Sequence, residues 1–438
     1  MKVGKTAMNY QEALDWIHSR EKFKVKPGLK RMDWMMERLG HPEKGFKAIH
    51  VAGTNGKGST VSFLRNLLQA QGYTVGTFTS PYIERFNERI SLNGEPVSDA
   101  VIARLVGRIR PLAESLKKTP LGEPTEFEII TAMAMIYFDE QPIDYAVVET
   151  GLGGRYDSTN ILHPIVSVIT NIGHDHMNIL GSTVREIAGE KAGIIKQKVP
   201  VVTAVKQPEA MEVILEEATS QKAPLFSLTT HFHVTHEAST PEGETFIFRS
   251  GAYESELLLS RMKGHHQVEN ASVALQTMES LKQAGDAIDR RHYRSGLERT
   301  TWPARFETVR NQPLTIIDGA HNEEGTKALV DTVKEHYRGR SVVLVYAALE
   351  DKPVIKMMNQ LKEVVDFAVV TSFDFPRALQ EEDLASLSPI KPTLPAENLQ
   401  EALRLAEQQL DDKSVLLITG SLYFISDVRA YFKSKMKK

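Results

Sequence analysis

The ten residues Val51-Ala52-Gly53-Thr54-Asn55-Gly56-Lys57-Gly58-Ser59-Thr60 combine three glycines, one lysine and two adjacent hydroxyls. An apolar run, Ala48-Ile49-His50-Val51-Ala52, leads in, and Val61-Ser62-Phe63-Leu64-Arg65-Asn66-Leu67-Leu68 follows with helical spacing. A strand, a glycine-rich turn and a helix start in that order make an anion cradle. Glycines let backbone N–H groups converge, and the helix dipole adds positive potential. In such a loop Gly53, Thr54, Asn55, Gly56, Lys57, Gly58, Ser59 and Thr60 would surround nucleotide phosphates. Lys57 would neutralise the β- and γ-groups, and Ser59 or Thr60 would offer a hydroxyl to Mg²⁺. The run departs from the eight-residue P-loop: only Thr54 and Asn55 separate the first two glycines, and Gly58 precedes the hydroxyls. A plain glycine-rich turn with a solvated lysine is the competing reading, and the flanking patterns argue against it.

Further polar clusters follow apolar runs. Thr79-Ser80-Pro81-Tyr82 closes one, and Ile83-Glu84-Arg85-Phe86-Asn87-Glu88-Arg89-Ile90 and Asn93-Gly94-Glu95-Pro96 continue as a charged loop able to fold over a substrate. Glu149-Thr150-Gly151-Leu152-Gly153-Gly154-Arg155-Tyr156-Asp157-Ser158-Thr159-Asn160 offers three glycines for close backbone approach, beside a carboxylate able to hold a hard cation. Thr170-Asn171-Ile172-Gly173-His174-Asp175-His176 ends a third run, and a helix is expected from Ser182-Thr183 to Lys191-Ala192-Gly193. Clusters at successive strand ends share one crevice, so His176 reads as a site position rather than a core histidine. His231, His233 and His236 read as structural, the first two sharing one strand face, rather than as a metal site.

The elements that must position these residues alternate. Strands are expected over 74–79, 145–149, 165–170 and 200–205, with helices over 99–116, 126–138 and 208–219 between them. This is the rhythm of a doubly wound, mainly parallel sheet with ligands at the carboxyl strand ends. Residues 225–259 read as an antiparallel meander turning at Pro241-Glu242-Gly243, and a helix is expected over 267–283. Residues 296–303 read as a hinge. Strands at 314–317, 342–346, 367–371 and 415–419 and a helix over 399–410 then form a second, smaller α/β domain. The division is placed between 1–296 and 297–438.

A chain of 438 residues favours two domains over one core. Lys and Arg number 53 against 56 Asp and Glu, a balance of −3 that argues against a general nucleic-acid surface, so an anionic ligand must meet local charge. The absence of cysteine excludes disulfides and thiolate chemistry. Met1-Lys2-Val3-Gly4-Lys5 leads into no apolar signal segment, and no stretch approaches the ~20 apolar residues of a membrane span. A cytoplasmic protein is expected, with the tail Lys433-Ser434-Lys435-Met436-Lys437-Lys438 as a solvated basic end.

The set Gly53-Thr54-Asn55-Gly56-Lys57-Gly58-Ser59, Gly151-Leu152-Gly153-Gly154-Arg155, Glu190-Lys191-Ala192-Gly193, Trp302-Pro303-Ala304-Arg305-Phe306-Glu307 and Asp318-Gly319-Ala320-His321-Asn322 resembles the folylpolyglutamate synthase/dihydrofolate synthase family, relatives of the Mur ligases. The resemblance spans nearly the whole chain, in order. It implies a P-loop ATP-binding domain with a mainly parallel sheet, joined to a smaller Rossmann-like α/β domain, with ATP and folate at their interface. It further implies that Ser80, Glu149 and His176 ligate Mg²⁺, that Lys191 is carbamylated, and that Asn270 contacts adenine. Arg305 and Asp318 would reach the nucleotide from the second domain, with His321 nearby. Tyr82 stands where the family commonly has histidine, and His174 where it has leucine.

The implied reaction is ATP-dependent ligation of L-glutamate to a folate or dihydropteroate through an acyl phosphate, by a monomer without nucleic-acid or membrane partners. A Mur-type amino-acid ligase and a regulatory P-loop NTPase switch are the competing readings. Gly58 and the loop from Arg85 to Arg89 favour the folate reading.

Overall fold

The computed structural model describes residues 8–20 and 28–436. The N-terminal Met1–Lys5 stretch and the tail residues Lys437 and Lys438 lie outside them. The first sheet has eight strands, β1 (Lys47–Ala52), β2 (Val75–Phe78), β3 (Ile90–Leu92), β4 (Glu95–Pro96), β5 (Tyr145–Glu149), β6 (Val166–Ile169), β7 (Val201–Thr203) and β8 (Leu225–Ser227). Their order is β4-β3-β2-β5-β1-β6-β7-β8, parallel except for the β3 and β4 edge. Strands β2, β5 and β6 are buried throughout, as continuous apolar runs with helices on both faces must be.

One face packs against helices Lys57–Ala70 and His265–Gln283, the other against Asp99–Leu116 and Glu126–Glu140. Phe63, Leu64, Leu67 and Leu68 are fully buried, and each such side chain stabilises the fold by ~1.5–3 kcal/mol. Helix Glu126–Glu140 starts at a reciprocal cap in which the Thr125 hydroxyl takes the Glu128 N–H while the Glu128 carboxylate takes the Thr125 N–H.

A small antiparallel sheet follows, β9 (Phe232–Thr240), β10 (Gly243–Ser250), β11 (Tyr253–Glu254) and β12 (Leu258–Ser260). The expected meander thus begins at β9. Leu225–Ser227 instead extends the parallel sheet as β8, because helix Pro208–Ser220 before it makes the crossover that parallel pairing requires. His231 lies before β9 rather than on a face shared with His233, and its Nδ1 accepts from the Ser227 N–H.

The third sheet holds β13 (Glu307–Asn311), β14 (Leu314–Ile317), β15 (Val342–Tyr346), β16 (Phe367–Thr371), β17 (Thr393–Ala396) and β18 (Val415–Thr419), in the order β13-β14-β18-β15-β16-β17. Only β13 is antiparallel. Strand β17 escaped the sequence reading because Pro395 breaks the pattern. At the sheet edge, however, one missing donor is tolerated.

The hinge expected at 296–303 is irregular only from Thr300. Gly296 belongs to helix Tyr293–Arg299, where absence of a side chain lets it lie against the Leu67 backbone. Lys433 is also not simply solvated: its amine pairs with Glu84, and Arg429 pairs with both Glu84 and Glu307. No helix among the described residues is long and apolar enough to cross a membrane.

Candidate active site

The carboxyl ends of β1, β2, β5 and β6 converge, and the P-loop leaves β1 at their centre. Gly56 has φ +82° and precedes helix Lys57–Ala70 without a side-chain cap, so the first helical N–H groups stay free for an anion. Close approach fixes the other loop contacts. A Cβ on Gly53 would overlap the Thr170 hydroxyl, one on Gly56 the Asn270 amide, and one on Gly58 would crowd the Trp302 indole. The β6 end holds the loop in shape: the Asn55 N–H donates to Asn171 Oδ1 (2.8 Å), and the Thr170 hydroxyl donates to the Asn55 carbonyl (2.6 Å). Ser59 and Thr60 are buried at the helix start, and the Thr60 hydroxyl has no protein partner among the described residues.

Two lysines share one acceptor. Lys57 Nζ donates to the carbonyls of Gly53 (3.0 Å) and Thr54 (3.1 Å), while Lys191 Nζ donates to the same Gly53 carbonyl (2.9 Å). Lys191 is 4% exposed. Burial, then the charge of Lys57, push its pKa down to about 7. It is therefore not the exposed lysine that its helix position would suggest.

Glu149, at the end of β5, is buried and, among the described residues, accepts one hydrogen bond, from the Ser80 backbone N–H (3.1 Å). Burial pushes its pKa up to about 7 against the attraction of Lys57, the Ser80 N–H and Arg305. Ser80 and Glu149 are thus in contact. His176 is apart from them, beside Asp175 (3.9 Å), with an imidazole 48% exposed and φ +52°. Among the described residues no three histidine or acidic side chains converge on one point. The donor chemistry nevertheless suits Mg²⁺: an under-bonded buried carboxylate, hydroxyls and an imidazole, with the waters this cation retains.

From the third sheet, the end of β14 presents Asp318, Arg305 and His321. Asp318 accepts from the N–H groups of Phe306 and Ala320 (both 2.8 Å). It thereby holds a turn in which Ala304 and Phe306 have positive φ, and it does not cap the following helix, which Asn322 caps. Arg305 lies on Gly319 and donates to the Ala304 carbonyl (3.0 Å). Burial lowers its pKa, opposed by Asp318 and Glu149. His321 Nδ1 lies 2.9 Å from the Gly319 carbonyl, and its Nε2 faces Asp175 (3.6 Å). Asn270, buried over the P-loop, donates to Gln267 (3.0 Å).

The residues not picked as site positions are Asp175, Lys352 and Asn322. Lys352 Nζ lies 2.8 Å from Asp175 Oδ1, and Asn322 Nδ2 donates to Asn55 Oδ1 (2.9 Å), so this knot ties the P-loop to the third sheet. Burial opposes ionisation of Asp175. The contact with His321 and the charges of His176, His321 and Lys352 outweigh it and hold the carboxyl well below its usual range. Lys352 follows the end of β15, a strand-end signal that would have flagged it. Lys352→Met should leave a folded protein with kcat/KM for ligation down on the order of a hundredfold, because breaking a buried pair strands one charge. Steady-state kinetics beside a thermal melt checks this, and unchanged kcat/KM would remove Lys352 from the machinery.

The chain matches the Mur ligase middle domain over residues 51–278 and the Mur ligase glutamate ligase domain over residues 304–422. It is 49% identical to the dihydrofolate synthase/folylpolyglutamate synthase of Bacillus subtilis, covering 97% of this chain and 99% of that protein. The chain belongs to the folylpolyglutamate synthase/dihydrofolate synthase family. Folylpolyglutamate synthase of Lacticaseibacillus casei is 35% identical over 96% of this chain and 98% of its own length. Among solved members, Mycobacterium tuberculosis folylpolyglutamate synthase complexed with ADP and AMPPCP superposes with TM-score 0.91 at 33% identity, covering 97% of this chain and 98% of that one. E. coli FolC in complex with DHPP and ADP gives TM-score 0.87 at 27% identity, covering 98% and 99%. The family is one of α/β ATP-dependent ligases, and the three sheets have that architecture.

Proposed function

We propose that the chain uses ATP to join L-glutamate to folates, and also to dihydropteroate as the name of its Bacillus subtilis relative indicates, at the cleft between the P-loop and the Asp318–His321 turn. The observation that carries this reading is the convergence of Lys57 and Lys191 on Gly53, beside buried Glu149 and facing Arg305. The acceptor carboxylate oxygen attacks the γ-phosphorus, ADP leaves, and an acyl phosphate forms. The glutamate amine then attacks the acyl carbon, and phosphate leaves with loss of a proton. Lys57 and the free N–H groups of its helix hold the phosphates in line, and Arg305 adds charge from across the cleft. Closure of the third sheet over the P-loop excludes water that would hydrolyse the acyl phosphate. Ser80, Glu149 and His176 would hold Mg²⁺, which when bound neutralises phosphate charge.

The division between nucleotide-binding and ligase units is placed in the irregular stretch after helix Tyr293–Arg299. The protein is proposed to be a cytoplasmic monomer. Incubation with ATP, glutamate and each pterin in turn should give products one glutamyl residue heavier, with ADP release dependent on both. Slow hydrolysis indifferent to folate and glutamate would instead identify a nucleotide switch.

Glu149→Gln should raise the Mg²⁺ concentration needed for half-maximal turnover severalfold. Its folded-state pKa lies above the unfolded value, so the wild type loses stability as pH rises from about 4.5 to about 7. Without Mg²⁺ the variant should therefore melt above the wild type at pH 8, with the gap closing toward pH 5. An unchanged Mg²⁺ requirement and no such gap would place the cation elsewhere.

A further inference from the structure

The loop joining β2 to β3 is rigid for its length. Glu88 accepts from the N–H groups of Ile83 (2.8 Å), Glu84 (3.2 Å) and Arg85 (3.1 Å), and Asn87 takes the Tyr10 hydroxyl (2.6 Å) and donates to the Val97 carbonyl (2.7 Å). Arg85 pairs with Asp99 (2.8 Å). Arg89, four residues on, is different. Its guanidinium packs on the rings of Tyr82 (5.2 Å to the centroid) and Phe86 (5.8 Å). Among the described residues its Nε, sealed from solvent, has no hydrogen-bond partner, and no carboxylate or carbonyl accepts from its side chain.

The nearby acids are engaged elsewhere: Glu126 with His18 (3.3 Å) and Glu149 with the Ser80 N–H. Both are close enough to be felt, as is Tyr423, which belongs to helix Leu422–Met436 and stacks on Phe375 at 4.3 Å. A half-buried guanidinium held by a rigid loop and lacking an anion costs stability unless a ligand completes it. The phosphate cradle is already served by Lys57 and the helix start. Aromatic rings frame Arg89 on both sides of the cleft, and its planar fork suits a carboxylate attached to a partly aromatic or flexible amino-acid substrate.

We propose that Arg89 receives the non-reacting carboxylate of a glutamyl group, either on the incoming glutamate or on the glutamyl tail of the folate acceptor. The assignment rests on the ligase reading above. It makes Arg89 a binding residue just before β3, with β2 and β5 between it and the phosphate-bearing end of β1, and with Tyr82 as its platform.

The test is Arg89→Met and Arg89→Lys in the full chain, with KM measured for glutamate, dihydropteroate and tetrahydrofolate monoglutamate, and KM for ATP as control. If Arg89 holds the incoming glutamate, Arg89→Met raises glutamate KM at least tenfold with either acceptor. If it holds the acceptor's tail, tetrahydrofolate KM rises at least tenfold while dihydropteroate, which has no glutamyl group, is spared. In both cases ATP KM stays within about twofold, Arg89→Lys falls between wild type and Arg89→Met, and Arg89→Met melts no lower than wild type without substrates. Substrate KM values within twofold of wild type in both variants, or a fall in kcat alone, would overturn the assignment. If Arg89→Met does not fold, Arg89→Lys alone decides, because it keeps the charge and loses the fork. A wild-type protein that makes no glutamyl product sinks the ligase reading and this assignment together, whereas an active wild type with indifferent variants sinks the assignment alone.

Discussion

Lys57→Ala should remain folded and lose glutamate-dependent ADP release by roughly 10²–10³. Both halves of that result follow from where the amine lies. Among the described residues Lys57 Nζ bonds only the carbonyls of Gly53 and Thr54 in its own loop, so its removal breaks no ion pair there and exposes no core surface. The loop keeps its shape through Asn55, Thr170 and Asn171, none of which the substitution touches. A transferring phosphoryl group, by contrast, loses the one flexible cation at the start of the helix, in a cleft where water is a poor substitute. Melting curves should match the wild type while turnover collapses. Near-normal ADP release from the folded variant would remove Lys57 from phosphoryl transfer.

The parts of this arrangement that were legible in the sequence are those governed by local pattern. Strands β5, β14, β15, β16 and β18 run between the residues expected, because a strand buried on both faces is an unbroken apolar run with polar ends. Helix Asp99–Leu116 likewise matches, its start marked by the Ser98 cap. Strand β8 was misplaced because three residues carry no mark of parallel or antiparallel pairing. The pairing of Asp175 with Lys352 joins residues 177 apart, and no local pattern says which strand end of one sheet meets which of another. Lys433 reads as a solvated tail lysine until the fold brings Glu84 to it. His176 shows the opposite limit. Its polar neighbours marked it as a site residue, but they did not reveal that it would lie against Asp175 rather than beside Glu149. The candidate site was therefore visible as separate strand-end clusters, and their contacts across the cleft were not.

Lys191→Ala should abolish most turnover, by on the order of 10²–10³, and regain part of it when formate or acetate is added. The reason is electrostatic. A protonated Lys191 would set a second ammonium against Lys57 on one carbonyl oxygen, in a volume shut off from water. Burial and Lys57 together bring its pKa down to about 7, so near neutral pH much of the amine is free to add carbon dioxide. That addition forms an N–C bond and releases one proton, leaving a carbamate whose negative charge sits beside Lys57 instead of a cation that repels it. A short carboxylate can fill the volume vacated in the alanine variant and restore that charge. The wild type should slow when carbon dioxide and bicarbonate are removed, and ¹³C-labelled carbon dioxide should give a carbamate NMR signal absent from Lys191→Ala. Stability offers an independent check without carbon dioxide. The folded-state pKa lies below the unfolded one, so the unfolded chain binds more protons and wild-type stability rises with pH from about 7 toward about 10.5. Lys191→Met should accordingly melt above the wild type below pH 7, where the wild type must bury an ammonium, and lose that advantage as pH rises. Activity indifferent to carbon dioxide, together with no carbamate signal in the active protein, would show that Lys191 works as a plain amine.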